Sequence, residues 1–588
     1  MRRRTFLAAL PAAAAVAGSA RADSRSETPN RNRPDVHGGD RIDGATFASR
    51  SPAWGLHGAA ATAHPLATLT AIETLKAGGS AVDAAIAANA VLGYGEPISA
   101  GVGGDCFVLL WDPKTRKVVG LNGSGRSPHG LTLDMQRARA RKGLIGSYGA
   151  PSVSVPGAVD AWWSLHGRYG KLPWRDLFQP AIRLAEEGTP IVQNVAYSVE
   201  RSQGIFNKPG AGIEEVENFN RLWAPQGRTP REGEVFRNPQ LARTYRLIAE
   251  GGGRAFYEGE IAETIERYFK RIGGWMTRAD LAAHRSEWVQ PVTSNYRGVD
   301  VWALPPNSQG VVTLQLLNIM EQFDIKEMGF QSALTLHTEI EAKRLAFEDR
   351  ARYYADPAFY RQPTDWLISK DYARERSKLI RPDRILNPAY AGQAPAHGDT
   401  TYFCTADNDG MMVSIIQSNY RGMGSGLMPD GLGFMFQNRG ELFALRDGHP
   451  NVYAPGKRPF QTIIPGFATR GGEPWLAFGV MGGDMQPQGQ AQVLSNMVDH
   501  GLAVQEAGDS PRWHHEGGHE PTGEDLGPIG KLNLESGVPE ATRQALAALG
   551  WPLAPSPGGY GGYECIQRWP GRYAAATEMR KDGTALAY

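Results

Sequence analysis

Apolar residues along the chain recur at helical spacing in some stretches and at every second position in others, and the changes of period mark the elements. Just after Leu66, the run ATLTAIETLKAGG keeps helical spacing and stops at Gly78-Gly79. The next run, SAVDAAIAANAVLGYGEP, has Ser80 as its N-cap and apolar residues around nearly the whole helix surface, which predicts burial on most sides. Glycine turns (SAGVGGD) then lead to a strand over 106–111 and a return strand over 117–121, with the turn at 113–116. Helices are expected at 162–169, 177–187, 261–271, 313–323 and 334–354, and a strand at 297–304. The stretch NPAYAGQAPAHGD, 387–399, reads as an exposed loop.

The segment after that loop carries the strongest local signal. Runs 401–406 and 411–418 read as strands separated by Asp407-Asn408-Asp409-Gly410, a hairpin turn. With a three-residue loop at 408–410 and Gly410 left-handed, Asp407 pairs with Met411 and Thr400 falls opposite Ser418. A slip of one residue would undo that pairing.

The N-terminus reads as an address. Arg2, Arg3 and Arg4 precede an apolar stretch and then Ala20-Arg21-Ala22, the three parts of an export signal over 1–22. Arg3-Arg4-Thr5-Phe6-Leu7 also fits the twin-arginine pattern, so an exported protein, periplasmic or extracellular, is expected. Residues 23–60 form a polar tether. No other segment has the 18 or so uninterrupted apolar residues of a membrane helix, so no membrane partner is expected.

Composition narrows the classes. The 588 residues hold 62 basic and 61 acidic side chains, and a net charge of +1 argues against a nucleic-acid partner. A hydrophobic share of 41% supports a large core, and length alone suggests about four domains. Cys106, Cys404 and Cys565 match neither a disulfide framework nor a metal spacing, and are expected as small buried residues.

A hydroxyl at the start of a strand, behind a glycine-containing linker, suggests one mechanism. Cutting the chain before Thr400 would give that threonine a free α-amine, which titrates near ~7.7–8 and can serve as a base beside its own hydroxyl. Ser418 could orient that hydroxyl. Two threonines opening an ordinary strand are the alternative. No G-x-S-x-G elbow and no H-E-x-x-H pattern occurs, so the histidines of WHHEGGH read as loop or packing residues and no metal is expected. GMGSG reads as a tight turn. Met481-Gly482-Gly483-Asp484 follows an apolar strand, 475–480, and consecutive glycine amides there can face a developing oxyanion.

Together and in order, these pieces resemble the gamma-glutamyltransferase family. The resemblance runs from about His64 to the C-terminus through GGSAVDAAIAANAVLGYGEPISAGVGGD, SVSVPGAVDAWWSLHGRYGKLPWRDLFQPAIRLAEEG, YRGVDVWALPPNSQG, LAFEDRARYYADP, DTTYF, GMGSG, GKRPFQTIIP and MGGD. It implies an α+β fold, the four-layer αββα sandwich of the N-terminal-nucleophile hydrolases. One domain in two chains then replaces the four-domain expectation: a large chain, 61–399, and a small chain, 400–588, from self-cleavage between Asp399 and Thr400. By position, Thr400 is the nucleophile, Ser418 its assisting hydroxyl, and Gly482 and Gly483 the oxyanion donors. No cofactor is implied. The partners are a small-molecule amide and water or an amine acceptor.

The implied pocket departs from the family pattern. Arg126 lies two residues closer to its proline than the family's arginine, and counting back from Pro128 reaches Ser124. Tyr420 stands at the asparagine position with Asn419 beside it. Arg439 takes the glutamine position, Leu442 the aspartate position with Glu441 before it, and Gln461-Thr462 the serine pair. Arg126, Asn419, Arg439, Gln461 and Thr462 are thus the candidates for substrate binding. The implied activity is cleavage of γ-glutamyl-type amides through an acyl-enzyme. An acylase acting on glutaryl-type or other side-chain amides is the alternative, and a binding module without turnover is the alternative of another class.

Overall fold

The computed structural model describes residues 48–389, 399–555 and 558–588. The export signal, most of the tether and 390–398 of the expected loop lie outside the described residues. Among the described residues, no helix is long and apolar enough to cross a membrane.

Two seven-stranded antiparallel sheets organise the chain. One runs Thr584–Ala587, Ala59–Thr62, Asp399–Ala406, Met412–Tyr420, Asp105–Asp112, Lys117–Gly123, Glu287–Val289. The other runs Ala53–Gly55, Arg572–Thr577, Tyr563–Trp569, Glu473–Val480, Gly466–Arg470, Val299–Ala303, Val292–Tyr296. Period-two alternation sorts their side chains. In Asp105–Asp112, Phe107, Leu109 and Trp111 join Phe467, Ile566 and Tyr573 of the second sheet in one apolar cluster. Cys106, Val108 and Leu110 point the other way, against helices that include Pro65–Lys76 and Ala81–Gly95. The second sheet likewise turns Leu476 and Phe478 toward helices Gly310–Met320, Ala333–Tyr353 and Met485–Val498.

Several expectations hold residue by residue. Helix Ala81–Gly95 is capped by Ser80, whose hydroxyl accepts from the Asp83 amide while the Asp83 carboxylate accepts from the Ser80 amide. Fourteen of its residues, Ala81 to Tyr94, are buried. Cys106, Cys404 and Cys565 are free and buried. The hairpin closes with the Asp407 amide donating to the Met411 carbonyl at 3.1 Å, and Gly410 is left-handed at φ 88°.

Two expectations need correction. The strand expected from 297 begins at Val299, because Arg297 (φ 48°) and Gly298 (φ 86°) form the turn of a hairpin with Val292–Tyr296. Of the loop and packing readings of the histidine segment, packing holds for His514 and His515, which are buried on strand Trp513–Glu516. The hairpin of Asp399–Ala406 and Met412–Tyr420 keeps its expected register from Thr401, opposite Gln417, to Ala406, opposite Met412, but Asp399 pairs with Tyr420. One residue, Thr400, therefore faces two, Ser418 and Asn419. This is a bulge, and bulges re-aim side chains where pairing ends.

Candidate active site

The end of the hairpin, the turn after Glu473–Val480 and two loops converge on one buried place. Gly479 permits the approach, since a Cβ there would meet the ring of Tyr402, two residues from Thr400. The chain then turns through Gly482 (φ 111°) and Gly483 (φ 59°), backbone conformations that favour glycine. Neither amide donates to a backbone carbonyl among the described residues. Asp484 follows as N-cap of helix Met485–Val498.

Ser418 is buried opposite Asp105, and its hydroxyl accepts the Tyr420 amide at 2.8 Å. That bond accompanies the left-handed Tyr420 (φ 78°), a conformation uncommon for a bulky residue and a mark of local strain. The Asn419 amide group points away toward the glycine turn, donating to the Ala100 carbonyl at 3.0 Å. Asp105 accepts from the Gly125 amide at 2.8 Å, Gln437 at 2.8 Å and Gln461 at 2.6 Å. Burial lifts its carboxyl to about 6, and those bonds pull the other way. A Cβ at Gly125 would run into the Val155 carbonyl. Gly125→Ala should therefore destabilise the fold by about 1–3 kcal/mol in urea unfolding, through overpacking that displaces the backbone amide donating to Asp105.

Arg439 is the unusual member. Fully buried, its guanidinium lies 4.6 Å from the Tyr420 ring centroid and donates from Nη1 to Thr462 Oγ1 at 2.5 Å. Among the described residues its Nε and Nη2 have no hydrogen-bond partner, and neither has the Tyr420 hydroxyl. Burial lowers the guanidinium to about 10, so it remains a cation at neutral pH. Leu442 is buried in apolar surroundings, and the neighbouring Glu441 accepts from Arg421 Nε at 2.6 Å. Arg126 is engaged elsewhere, with Asp356 at 3.2 Å, the Gly456 carbonyl at 3.2 Å and Glu287 at 3.1 Å. The structure thus gathers Arg439, Gln461, Thr462 and Ser418 into one connected region and gives Arg126 and Asn419 other partners. The side chains of Asp399 and Thr400 lie outside the described residues.

Other groups here escape a reading by motif. Glu520 is buried with neither carboxylate oxygen hydrogen-bonded among the described residues, and burial and Asp484 push its pKa well up while Arg350 opposes. It lines a cavity of about 730 Å³ with Glu348, Arg352, His449 and His519. Arg350 and Gln309, both fully buried, stand behind the Gly482-Gly483 turn.

Comparison with known proteins places this arrangement. Residues 67–588 match the gamma-glutamyltranspeptidase family model. A glutathione hydrolase-like YwrD proenzyme of Bacillus subtilis is 36% identical over 76% of this chain and 83% of its own length. An acylase ACY 1 proenzyme of a Pseudomonas species is 33% identical over 92% of this chain and 95% of its own. The crystal structure of a cephalosporin acylase from Bacillus halodurans superposes with a TM-score of 0.85 at 40% identity, covering 92% of this chain and 98% of that one.

Proposed function

The chain belongs to the gamma-glutamyltranspeptidase family, and from that premise we propose that it is a self-processing threonine amidohydrolase whose acyl pocket takes an acidic acyl group. The observation that carries the acyl preference is Arg439, a buried cation with two donor nitrogens that find no partner among the described residues, beside a tyrosine hydroxyl that likewise finds none there. A buried charge without a partner is costly, and a substrate carboxylate relieves that cost. Relatives named as proenzymes support a precursor that is cut, and the apolar clusters between and outside the two sheets support the αββα N-terminal-nucleophile fold, one domain in two chains. The arginine-rich start supports export.

In this reading the Thr400 hydroxyl attacks the Asp399 carbonyl; the C–N bond breaks as the C–O bond forms, so the peptide becomes an ester and the α-amine is freed with the hydroxyl's proton, and water then hydrolyses the ester to leave the Asp399 carboxylate and the Thr400 hydroxyl. In turnover the same oxygen attacks the substrate carbonyl while the α-amine takes its proton. The Gly482 and Gly483 amides hold the oxyanion, and the proton passes to the departing amine. Ser418 supports the nucleophile. The acyl-enzyme is then resolved by water or an amine acceptor.

Leu442 gives a substrate ammonium no carboxylate, and Arg421 already holds Glu441, which favours a glutaryl-type acyl group over γ-glutamyl. Glu520 favours the second reading, γ-glutamyl cleavage, because its unbonded carboxyl is a buried acceptor near Asp484. Initial rates on glutaryl and γ-glutamyl anilides decide between them. The first reading expects at least about tenfold higher kcat/KM for glutaryl. The reverse order, abolished by Glu520→Gln, would establish the second.

A further inference from the structure

One side-chain amide joins the two loops that the reaction needs. Gln309 Nε2 donates to the Thr462 carbonyl at 2.6 Å and to the Gly483 carbonyl at 3.0 Å, using both amide hydrogens. Its Oε1 accepts from Arg350 Nη1, which also donates to Asp484 Oδ1. The Gln309 backbone amide donates to the Gln461 carbonyl at 3.0 Å, and the Gln461 amide to the Asn307 carbonyl at 2.8 Å. The turn before Gly310–Met320 is further stitched by Ser308 Oγ donating to the Ile463 carbonyl at 2.9 Å.

We propose that Gln309 is a positioning residue that locks the Gly482-Gly483 loop to the Gln461-Thr462 loop, with Arg350 setting the orientation of its amide. The inference rests on the reading of Gly482 and Gly483 as oxyanion donors. A glutamine amide can flip, and the flipped form would point its oxygen at two carbonyl oxygens. Arg350, a donor without acceptor capacity, excludes that form. Fixing the Gly483 carbonyl fixes the torsion of a glycine that has no side chain to hold it. Fixing the Thr462 carbonyl at the same time sets the distance between the hole and the Arg439–Thr462 acyl contact. An error of about 1 Å between such elements costs a large factor in rate.

The test compares Gln309→Met, Gln309→Asn and Arg350→Lys in the mature two-chain protein. Asparagine keeps the chemistry but is one methylene short of spanning both carbonyls, so it should not rescue. Hydrogen exchange should accelerate by about tenfold or more over both 459–464 and 481–487, with helix Ala81–Gly95 unchanged. The kcat per titrated active site should fall about 10–100-fold, with Arg350→Lys intermediate. A cycle of Gln309→Met with Arg439→Met should depart from additivity by about tenfold, because both side chains donate to Thr462. Exchange loosened in one loop only, or a cycle additive within about twofold, would overturn the proposal. The exchange measurement needs no turnover, so an inactive wild type would count against the Thr400 reading and leave Gln309 still decided.

Discussion

Replacing Thr400 with alanine should leave the full-length chain uncut and lower amide hydrolysis by roughly 10⁴-fold or more. The expected effect is large because in the proposed mechanism one residue supplies nucleophile, base and the new chain end. Thr400→Ser keeps the hydroxyl and should still split, with turnover reduced. Denaturing electrophoresis and initial rates on an anilide read both outcomes. A Thr400→Ala chain that is still cut at that bond would assign cleavage to a host protease and remove the proposed chemistry. A wild-type chain that stays whole would favour a binding scaffold without turnover.

The second large effect belongs to Arg439. Arg439→Met should reduce kcat/KM for an acidic acyl anilide by about 10²–10³-fold, the loss expected when a buried carboxylate meets no cation. A neutral acyl anilide should be changed by less than about threefold. The unliganded variant should melt higher, since an apolar side chain replaces a buried cation with two unpartnered nitrogens. Equal losses on both substrates, or a lower melting temperature, would mean that Arg439 holds the loop through Thr462 and does not read the acyl group.

Much of the scaffold is legible in the sequence because its signals are local. The Ser80 cap sits three residues before its Asp83 partner, and the Asp407–Gly410 turn sets the hairpin register by chemistry within four residues. Legibility fails where tertiary contacts override local pattern. Helix Ala333–Tyr353 buries Glu339, Lys343, Asp349 and Arg350, charges whose burial no local pattern marks. Each has a distant partner: Trp513, His515, Tyr372 and Asp484 respectively. Arg297 reads as strand because its left-handed turn with Gly298 carries no Asn-Gly or Asp-Gly signature. In the site, Tyr420, Arg439 and Thr462 meet only through the fold. Family resemblance marks these positions, but the unpartnered donors that give Arg439 its meaning come from geometry alone. The bulge opposite Thr400 is likewise invisible to a uniform register.

Peptide-bond scission is the premise beneath every expected change in rate, and its position can be read directly. N-terminal sequencing of the smaller fragment from the purified protein should return Thr-Thr-Tyr-Phe, the residues from 400 onward. A different first residue, or a preparation that yields no second N-terminus, would contradict the account.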